Sequence, residues 1–527
     1  MLTKFVHSFV ILLALCLGGC STFPPGANYP RTASTAMAHP ENTQLAQTFS
    51  AAANANTGKS GFRVIQVGAD GFLMRMQMIK AAEKTIDLQY YIFHGDNTGR
   101  LLTAAILSAA DRGVRVRILI DDGETENGDE QIALIEAHPS IEIRIFNPFA
   151  YRGHVQFFRA GEYLLNNSRL DYRMHNKMLV IDNSIALIGG RNIGDQYFQV
   201  DPDSQFADDD LFSTGPITHQ MSGIFDEFWN NSRSIPSKAL DSAPHNATEL
   251  VDHRHELNEE RVQMKADGID YVKRITSGEP FQGIVSGRLP LVWAHAQLVS
   301  DSPDKKQVED GSMVGKLMHI DVAKATSGVQ SELLMVTPYF IPGKVGMKLF
   351  QDLRQRDVHI RILTNSLESS TESLAQAGYM PYRKPLLEQG VELYEICSLL
   401  KNNKGSGQTA KMSSHGNFSL HGKLFVMDRQ RLFIGSMNFD QRSMHLNTEI
   451  GLIVDSPELA QQVAVRFEAM VQPGNAYHVT LDPDSKRLIW HTEINGLAVD
   501  TDVEPARSDW QRFKTQFLSH LPLDSEL

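Results

Sequence analysis

The chain repeats itself, and that repeat limits what it can fold into more than any other feature. The string RGVRVRILIDD at 112–122 is answered by RDVHIRILTNS at 356–366, IDLQYYIF at 86–93 by LLMVTPYFIP at 333–342, and HNKMLVIDNSIALIGGRN at 175–192 by HGKLFVMDRQRLFIGSMN at 421–438. Three matching blocks in one order mean duplication. The 112–122 and 356–366 blocks each follow an amphipathic stretch, LLTAAILSAAD and GMKLFQDLRQ, and so read as helix, tight turn and buried strand. Strands alternating with helices in each half predict an α/β fold, a mixed layered sandwich with the two halves packed face to face. A length of 527 residues and a hydrophobic content of 42% suffice for two cores.

The third block carries the chemistry. His175 and Lys177 are two apart in a strand-like run, so their side chains leave one face and both reach one phosphate. MLVI carries the strand to the turn-type triplet Asp182-Asn183-Ser184, and IALI returns antiparallel to Gly189-Gly190-Arg191-Asn192, bringing Asn192 back beside His175. The second copy keeps the spacing with His421, Lys423, Asp428 and Gly435-Ser436-Met437-Asn438. Phosphodiester exchange needs a nucleophile, a proton donor for the departing alkoxide, and fixed positive charge for the equatorial oxygens. Two such sets would supply these: neutral imidazole from one histidine would attack phosphorus to give a phosphohistidine, while the other, protonated, would donate to the leaving oxygen, a transfer typically contributing about 10²- to 10⁴-fold. With an unperturbed pKa of about 6.5, imidazole serves in both states. Lys177 and Lys423 hold the phosphate oxygens as point charges, and Asn192 and Asn438 donate hydrogen bonds to them. No metal or other cofactor is expected. Asp182 and Asp428, at the hairpin turns, are expected to hold loops rather than touch substrate. Purely structural histidines are disfavoured, because the lysine and asparagine that accompany each would be costly to bury unpaired.

On the doubled pattern HxK, four residues, Asp, six residues, G(G/S)xN, the chain resembles the phospholipase D superfamily. YRMHNK with GGRNIGDQYF, and GSMNFDQRS followed by NTEIGLIV, are similar to the bacterial cardiolipin synthase branch, closest to its C-type members, over residues 61–472. The resemblance implies two tandem αβα sandwich domains forming a pseudo-dimer with one active site at their interface. It implies His175 as nucleophile and His421 as acid/base, an order the residues alone leave open. The implied reaction moves a phosphatidyl group from one phospholipid to the hydroxyl of another, giving cardiolipin. Hydrolysis to phosphatidic acid is the competing outcome, since both share the first half-reaction. The family pattern also places at Glu449 a carboxylate that orients a histidine through its second ring nitrogen. In the first half FADDDLF aligns Asp208 with Glu449, with Asp210 as the alternative. Gly190 stands where the second copy has Ser436, which makes Ser436 a candidate for an additional phosphate contact.

At the N-terminus, Lys4 precedes an apolar run from Phe5 to Leu17 that is too short to span a membrane comfortably and reads as an export signal over 1–19. Leu17-Gly18-Gly19-Cys20 resembles the bacterial lipobox, which implies cleavage before Cys20 and its lipidation; an ordinary signal peptide is the alternative. Each buried acyl methylene contributes about 0.8 kcal/mol to such an anchor. Ser21 carries no signal for inner-membrane retention, so the expected place is the periplasmic side of the bacterial cell envelope, the outer membrane favoured. Cys16 would leave with the signal and Cys20 carry lipid, so Cys397 has no partner for a disulfide. The net charge of −12 disfavours a nonspecific nuclease without excluding it, and two intact motifs disfavour a non-catalytic surface lipoprotein; the implied anchor together with that charge makes phospholipids and a membrane surface the expected partners.

The remaining segments divide as a flexible tether over 20–60, a first domain over 61–235, a polar connector over 236–310, a second domain over 311–472 and an extension over 473–527 that forms a covering strand and helix. Asp252-His253-Arg254-His255-Glu256 in the connector reads as a solvated helix face rather than a metal site. GSGQTAKMS from Gly405 lacks the glycine and hydroxyl of a phosphate loop, and the aspartates at 208–210 lack the alternation of a calcium loop. FNPFAYRGHVQFFRAGEYLL at 146–165 either docks the cleft rim on a membrane or forms a partly buried loop and helix. Tyr90, Tyr91, Tyr339 and Phe340 are candidates for cleft lining or for core.

Overall fold

The computed structural model describes residues 24–123, 134–153, 156–200, 204–240, 246–266, 279–399, 417–494 and 496–520. The export signal, Cys20 and the GSGQTAKMS loop lie outside the described residues. In the first half come β1 (Ser60–Ile65), β2 (Thr85–Tyr90), β3 (Arg115–Asp121), β4 (Ile141–Phe146), β5 (Met178–Ile181), β6 (Ile185–Gly189), β7 (Ser204–Ala207), β8 (Asp210–Thr214) and β9 (Ser234–Pro236). In the second come β10 (Val292–Ser300), β11 (Glu332–Val336), β12 (His359–Asn365), β13 (Glu392–Ile396), β14 (Asn417–Leu420), β15 (Leu424–Met427), β16 (Arg431–Gly435), β17 (Ile450–Asp455), β18 (Ala476–Leu481), β19 (Leu488–Ile494) and β20 (Leu497–Thr501).

Each half builds the same mixed sheet. β2, β3 and β4 are parallel, and β5, β6, β8 and β1 continue antiparallel. β11, β12 and β13 are likewise parallel, followed by antiparallel β15, β16, β17 and β10. β1 then pairs antiparallel with β10, with Ser60 opposite Ala294 and Phe62 opposite Val292, so one sheet runs through both lobes. Parallel neighbours require crossover helices. The helix Asn97–Asp111 supplies one: the Asp96 side chain accepts from the Gly99 amide to cap it, and Gly113 at φ +87° ends it. Its counterpart Gly343–Arg354 ends differently, with Asp357 forced to φ +58°.

Three apolar clusters hold the layers together. The helices Gly68–Ala81 and Asn97–Asp111 close the outer face of the first lobe, and Gly343–Arg354 closes that of the second. Between the two lobes' parts of the sheet lie Pro216–Trp229 and Pro457–Met470. Their Phe225, Phe228, Trp229, Val463 and Phe467 share one core with strand residues of both lobes, such as Val180 and Val426. The expected face-to-face packing of two α/β halves is therefore present.

Two boundaries differ from the sequence expectation. The 20–60 segment, expected as a flexible tether, is folded over much of its length. Thr43 caps the helix Gln44–Ala55, which buries Leu45 and Phe49 one turn apart, and Arg31 donates to the carbonyls of Ser232 and Ser234. The alanine-rich composition hid a narrow apolar stripe. The connector also ends earlier than expected. Its Asp252 to Glu256 cluster lies on the helix Ala247–Ala266, where Arg254 pairs with Asp111, but β10 already belongs to the second sheet as the counterpart of β1. VWAHAQLVS has a half-exposed face, and that diluted its strand signal. The C-terminal extension contributes β18, paired with β13, then β19, β20 and the helix Asp509–Leu518.

Candidate active site

The two hairpins that carry the motif turn through consecutive left-handed residues, Asp182 and Asn183 at φ +52° and +49°, Asp428 and Arg429 at +53° and +53°. Such turns match the twist of paired strands, and Asp and Asn tolerate the conformation. The Asp182 carboxylate accepts from the amides of Glu83, Lys84 and Thr85 at 2.7–2.9 Å, and Asp428 accepts from those of Gln330, Ser331 and Glu332 at 2.7–3.1 Å. Both aspartates pin the hairpin to the neighbouring strand's start, as their position suggested. At the far end glycine is required by contact: a Cβ on Gly189 would lie 2.3 Å from the Asp209 carbonyl, and one on Gly435 2.5 Å from that of Ile450.

His175 and Lys177 precede β5 rather than lie in it, and His421 and Lys423 precede β15 in the same way. What extends these segments is pairing with the other lobe. The His175 amide donates to Thr448 O at 2.9 Å, and the amides of His421 and Gly422 donate to Ala207 O at 2.8 and 3.0 Å. β14, just before His421, pairs in parallel with β7 of the first lobe.

Both imidazoles are held by carboxylates from the opposite lobe. His175 Nδ1 lies 3.0 and 2.9 Å from the two oxygens of Glu449, and His421 Nδ1 lies 2.6 Å from Asp208 Oδ2. With Nδ1 held, Nε2 is the nitrogen of each ring turned away from the carboxylate. The lysines fold back beside them: Lys177 Nζ donates to His175 O at 2.7 Å, and Lys423 Nζ lies 3.1 and 3.3 Å from the ring nitrogens of His421. Tyr91 meets His175 edge-on at 5.1 Å, while Tyr197 edges and Phe206 stacks on His421 at 5.0 and 5.3 Å.

The three aspartates at 208–210 do three different jobs. Asp208 faces His421, Asp209 pairs with buried Arg466, and Asp210 is locked between Arg75 and Arg191 at 2.8–2.9 Å. Asp208 therefore takes the orienting position, and Asp210 is committed elsewhere. The Gly190 and Ser436 difference follows from the carboxylate lengths. A Cβ at Gly190 would stand 2.3 Å from Asp208 Oδ1, whereas Ser436 Oγ donates to Glu449 Oε2 at 2.5 Å and accepts from the Ile450 amide at 3.0 Å. Ser436, a candidate phosphate contact on sequence, is thus fully buried and bound to Glu449.

Asn192 donates from Nδ2 to Tyr197 Oη at 2.8 Å and accepts from the Ile92 amide at 3.3 Å, whereas Asn438 Oδ1 is buried and has no hydrogen-bond partner among the described residues. Among the aromatics raised by sequence, Tyr91 borders the site. Tyr90 is buried and receives Arg75 Nε at 3.0 Å, Phe340 packs in the second-lobe core, and Tyr339 is half-buried. Sequence reasoning missed Tyr197, Phe206 and Ser443, whose hydroxyl donates to Glu449 at 2.8 Å. For Ser443 the available signal was its place in the GSMNFDQRS string.

Burial and two close lysines set the electrostatics. Burial, then Lys423, push His421 down to about 3, and burial, then Lys177, hold His175 well below its usual range. Lys423 falls to about 8, mainly through burial, and Lys177 falls well below the lysine range for the same reason. Burial opposes ionisation of both carboxyls, but hydrogen bonding and charge from His421 still bring Asp208 to about 2, while burial lifts Glu449 to about 7. Near neutrality these shifts leave both imidazoles uncharged, one of them against an ionised carboxylate. An anionic phosphodiester among these groups would favour protonation of the second ring.

Comparison with known proteins agrees with this geometry. The family model described as "Cardiolipin synthase, PLD-like domain" matches residues 76–229 and 322–471, one match per lobe. Cardiolipin synthase C of Escherichia coli strain K12 is 34% identical over 477 residues, 89% of this chain and 96% of that protein. An uncharacterized protein of Helicobacter pylori strain 26695 is 30% identical over 94% of this chain and 95% of its own. Among solved structures, a phosphatidylserine synthase of Haemophilus influenzae superposes with a TM-score of 0.53 at 12% identity, covering 82% of this chain and 92% of that one. Two family matches, one on each of the lobes that donate a histidine, show that the chain belongs to the phospholipase D-like cardiolipin synthase family.

Proposed function

We propose that the protein is a phosphatidyltransferase that moves a phosphatidyl group between phospholipids through a phosphohistidine, with cardiolipin as product. The observation that carries this reading is the reciprocal pairing of each lobe's histidine with the other lobe's carboxylate, which supports one two-histidine site shared by the lobes. In the first step Nε2 of neutral His175 attacks phosphorus as the bond to the leaving alkoxide breaks, and imidazolium His421 gives that oxygen its proton. Ionised Asp208 stabilises the imidazolium, much as a buried aspartate does in serine hydrolases. In the second step the acceptor hydroxyl gives its proton to His421 and attacks phosphorus, and His175 leaves neutral. Lys177, Lys423 and Asn438 stabilise the equatorial oxygens through charge and hydrogen bonding.

The lipid substrate is supported by the named relatives, a cardiolipin synthase and a phosphatidylserine synthase. A lipid anchor at Cys20 on the periplasmic side of the cell envelope, the outer membrane favoured, would hold the site where such lipids are. The test is incubation of purified protein with labelled phosphatidylglycerol, with and without glycerol as a competing acceptor, followed by separation of the lipids. Cardiolipin supports transfer. Phosphatidic acid replaces it by hydrolysis, and no lipid turnover contradicts both.

A further inference from the structure

Two helices, one on each lobe, present apolar faces to solvent. On Gln156–Leu165 the side chains of Phe157, Phe158, Leu164 and Leu165 are each more than half exposed and lie on one face. On Asp509–Leu518 the same holds for Trp510, Phe513 and Phe517, while Thr515 is buried against the lobe. Outward faces of this kind mark contact with another apolar phase.

Their attachment points are equivalent under the duplication. Asp121, the last residue of β3, accepts from the amide of Met174, just before His175, at 2.7 Å. Asn365, the last residue of β12, accepts from the amide of Leu420, just before His421, at 2.8 Å. The residues that follow these strand ends carry the helices. Asp122 receives Arg152 at 2.5 Å and the Phe149 amide at 2.7 Å, and its carbonyl takes Arg159 of the helix itself. In the second lobe Leu367 O takes Gln511 Nε2 at 2.8 Å and Glu368 O takes Arg507 Nε at 2.5 Å. Each apolar helix is therefore mounted on the loop leaving the strand that positions its lobe's histidine.

Charge points to the occupant. The chain carries a net −12, yet residues 149–169 hold three arginines, Arg152 and Arg159 pairing with the one Asp122 and Arg169 with Glu162, and residues 507–520 hold Arg507, Arg512 and Lys514 against Asp509, before Asp524 and Glu526 follow in sequence. Aromatic faces flanked by basic residues are what an interfacial helix offers an anionic bilayer. We infer that the helices Gln156–Leu165 and Asp509–Leu518 are paired feet that seat the catalytic cleft on an anionic phospholipid surface. This rests on the reading of the site as acting on phospholipids, and it deepens that reading by naming how the enzyme meets its substrate.

The test uses the chain from residue 20 onward carrying Cys20→Ser, so that neither the apolar run Phe5–Leu17 nor an acyl anchor supplies the binding, with sedimented vesicles of phosphatidylglycerol and phosphatidylcholine. Phe157→Gln with Phe158→Gln, and Trp510→Gln with Phe513→Gln and Phe517→Gln, are each expected to cut vesicle partitioning by about tenfold or more. Turnover of a short-chain phosphatidylglycerol kept monomeric should stay unchanged. A second measurement needs no polar substitution: brominated lipid should quench the part of the emission that Trp510→Phe removes. Unchanged partitioning of either multiple variant, or absence of quenching, overturns the inference. Loss of binding that accompanies conversion of a dimer to a monomer also overturns it, because a second copy then covers the face. Aromatic-dependent vesicle binding by a protein that turns over no lipid keeps the docking surface and removes the substrate reading instead.

Discussion

Glu449 of the second lobe lies 2.9 Å from Nδ1 of His175 in the first. Asp208 returns the arrangement to His421 across the same interface. Each lobe thus supplies one ring of the pair and the carboxylate that meets the other lobe's ring, so under the proposed mechanism neither lobe alone holds a complete acid–base unit.

Replacing Glu449 with Gln keeps the shape but removes the carboxylate that orients His175. Turnover is expected to fall on the order of 10²-fold or more, with little change in KM. Steady-state kinetics on labelled phosphatidylglycerol check this, and wild-type turnover in the variant would show that the contact is only structural.

The Gly190 position should be intolerant for a stated steric reason. In Gly190→Ser the new Cβ would stand 2.3 Å from Asp208 Oδ1, so the carboxylate must leave His421. A loss of turnover similar to that of Asp208→Asn is expected. The reverse change, Ser436→Gly, removes a donor to Glu449 and should cost about tenfold. Kinetics of the three variants side by side decide the point.

Acid sensitivity follows from the buried imidazole. His421 drops from an ordinary 6.5 to about 3 in the fold, so between those values the unfolded chain binds a proton that the folded chain does not. Stability from this group is therefore present above pH 6.5 and is lost as pH falls through the window. Glu449, raised to about 7, works in the opposite direction between 4.5 and 7, as the folded state is then the more protonated. Comparing His421→Gln with the parent separates the two: between pH 6.5 and 4.5 the variant's melting temperature should fall less steeply as pH drops. Parallel melting curves would contradict a neutral buried His421.

The duplication also exposes a local strain. Asp357 occupies φ +58° where the first lobe uses Gly113 at +87°, and a left-handed residue other than glycine is disfavoured. Asp357→Gly should stabilise the protein by about 0.5–1 kcal/mol in chemical denaturation. Destabilisation would mean that the aspartate is held there by interactions worth more than its strain.

The repeat, the mixed sheet and the doubled histidine, lysine and asparagine sets were legible because they depend on local spacing. Asp182 and Asp428 could be read as turn residues for the same reason, and their amide contacts bear that out. The exchange of Asp208 and Glu449 between lobes was not legible, since nothing in either string says which half its neighbour comes from. Three consecutive aspartates could be ranked only by alignment, and the arginines that commit Asp210, Arg75 and Arg191, lie far apart in sequence. Ser436 was assigned toward phosphate because a strand pattern does not reveal that Glu449 is within reach of its hydroxyl. The helix at Gln44–Ala55 and strand β10 went unread because tertiary contacts, not strong periodicity, hold them.

The shared site is tested most directly by measuring phosphatidyl transfer from labelled phosphatidylglycerol in His175→Ala and His421→Ala, with folding checked by thermal melting. Each substitution alone is expected to reduce turnover on the order of 10⁴-fold or more, because the two rings act as one unit. Substantial activity in either folded variant would contradict a reaction run by two histidines.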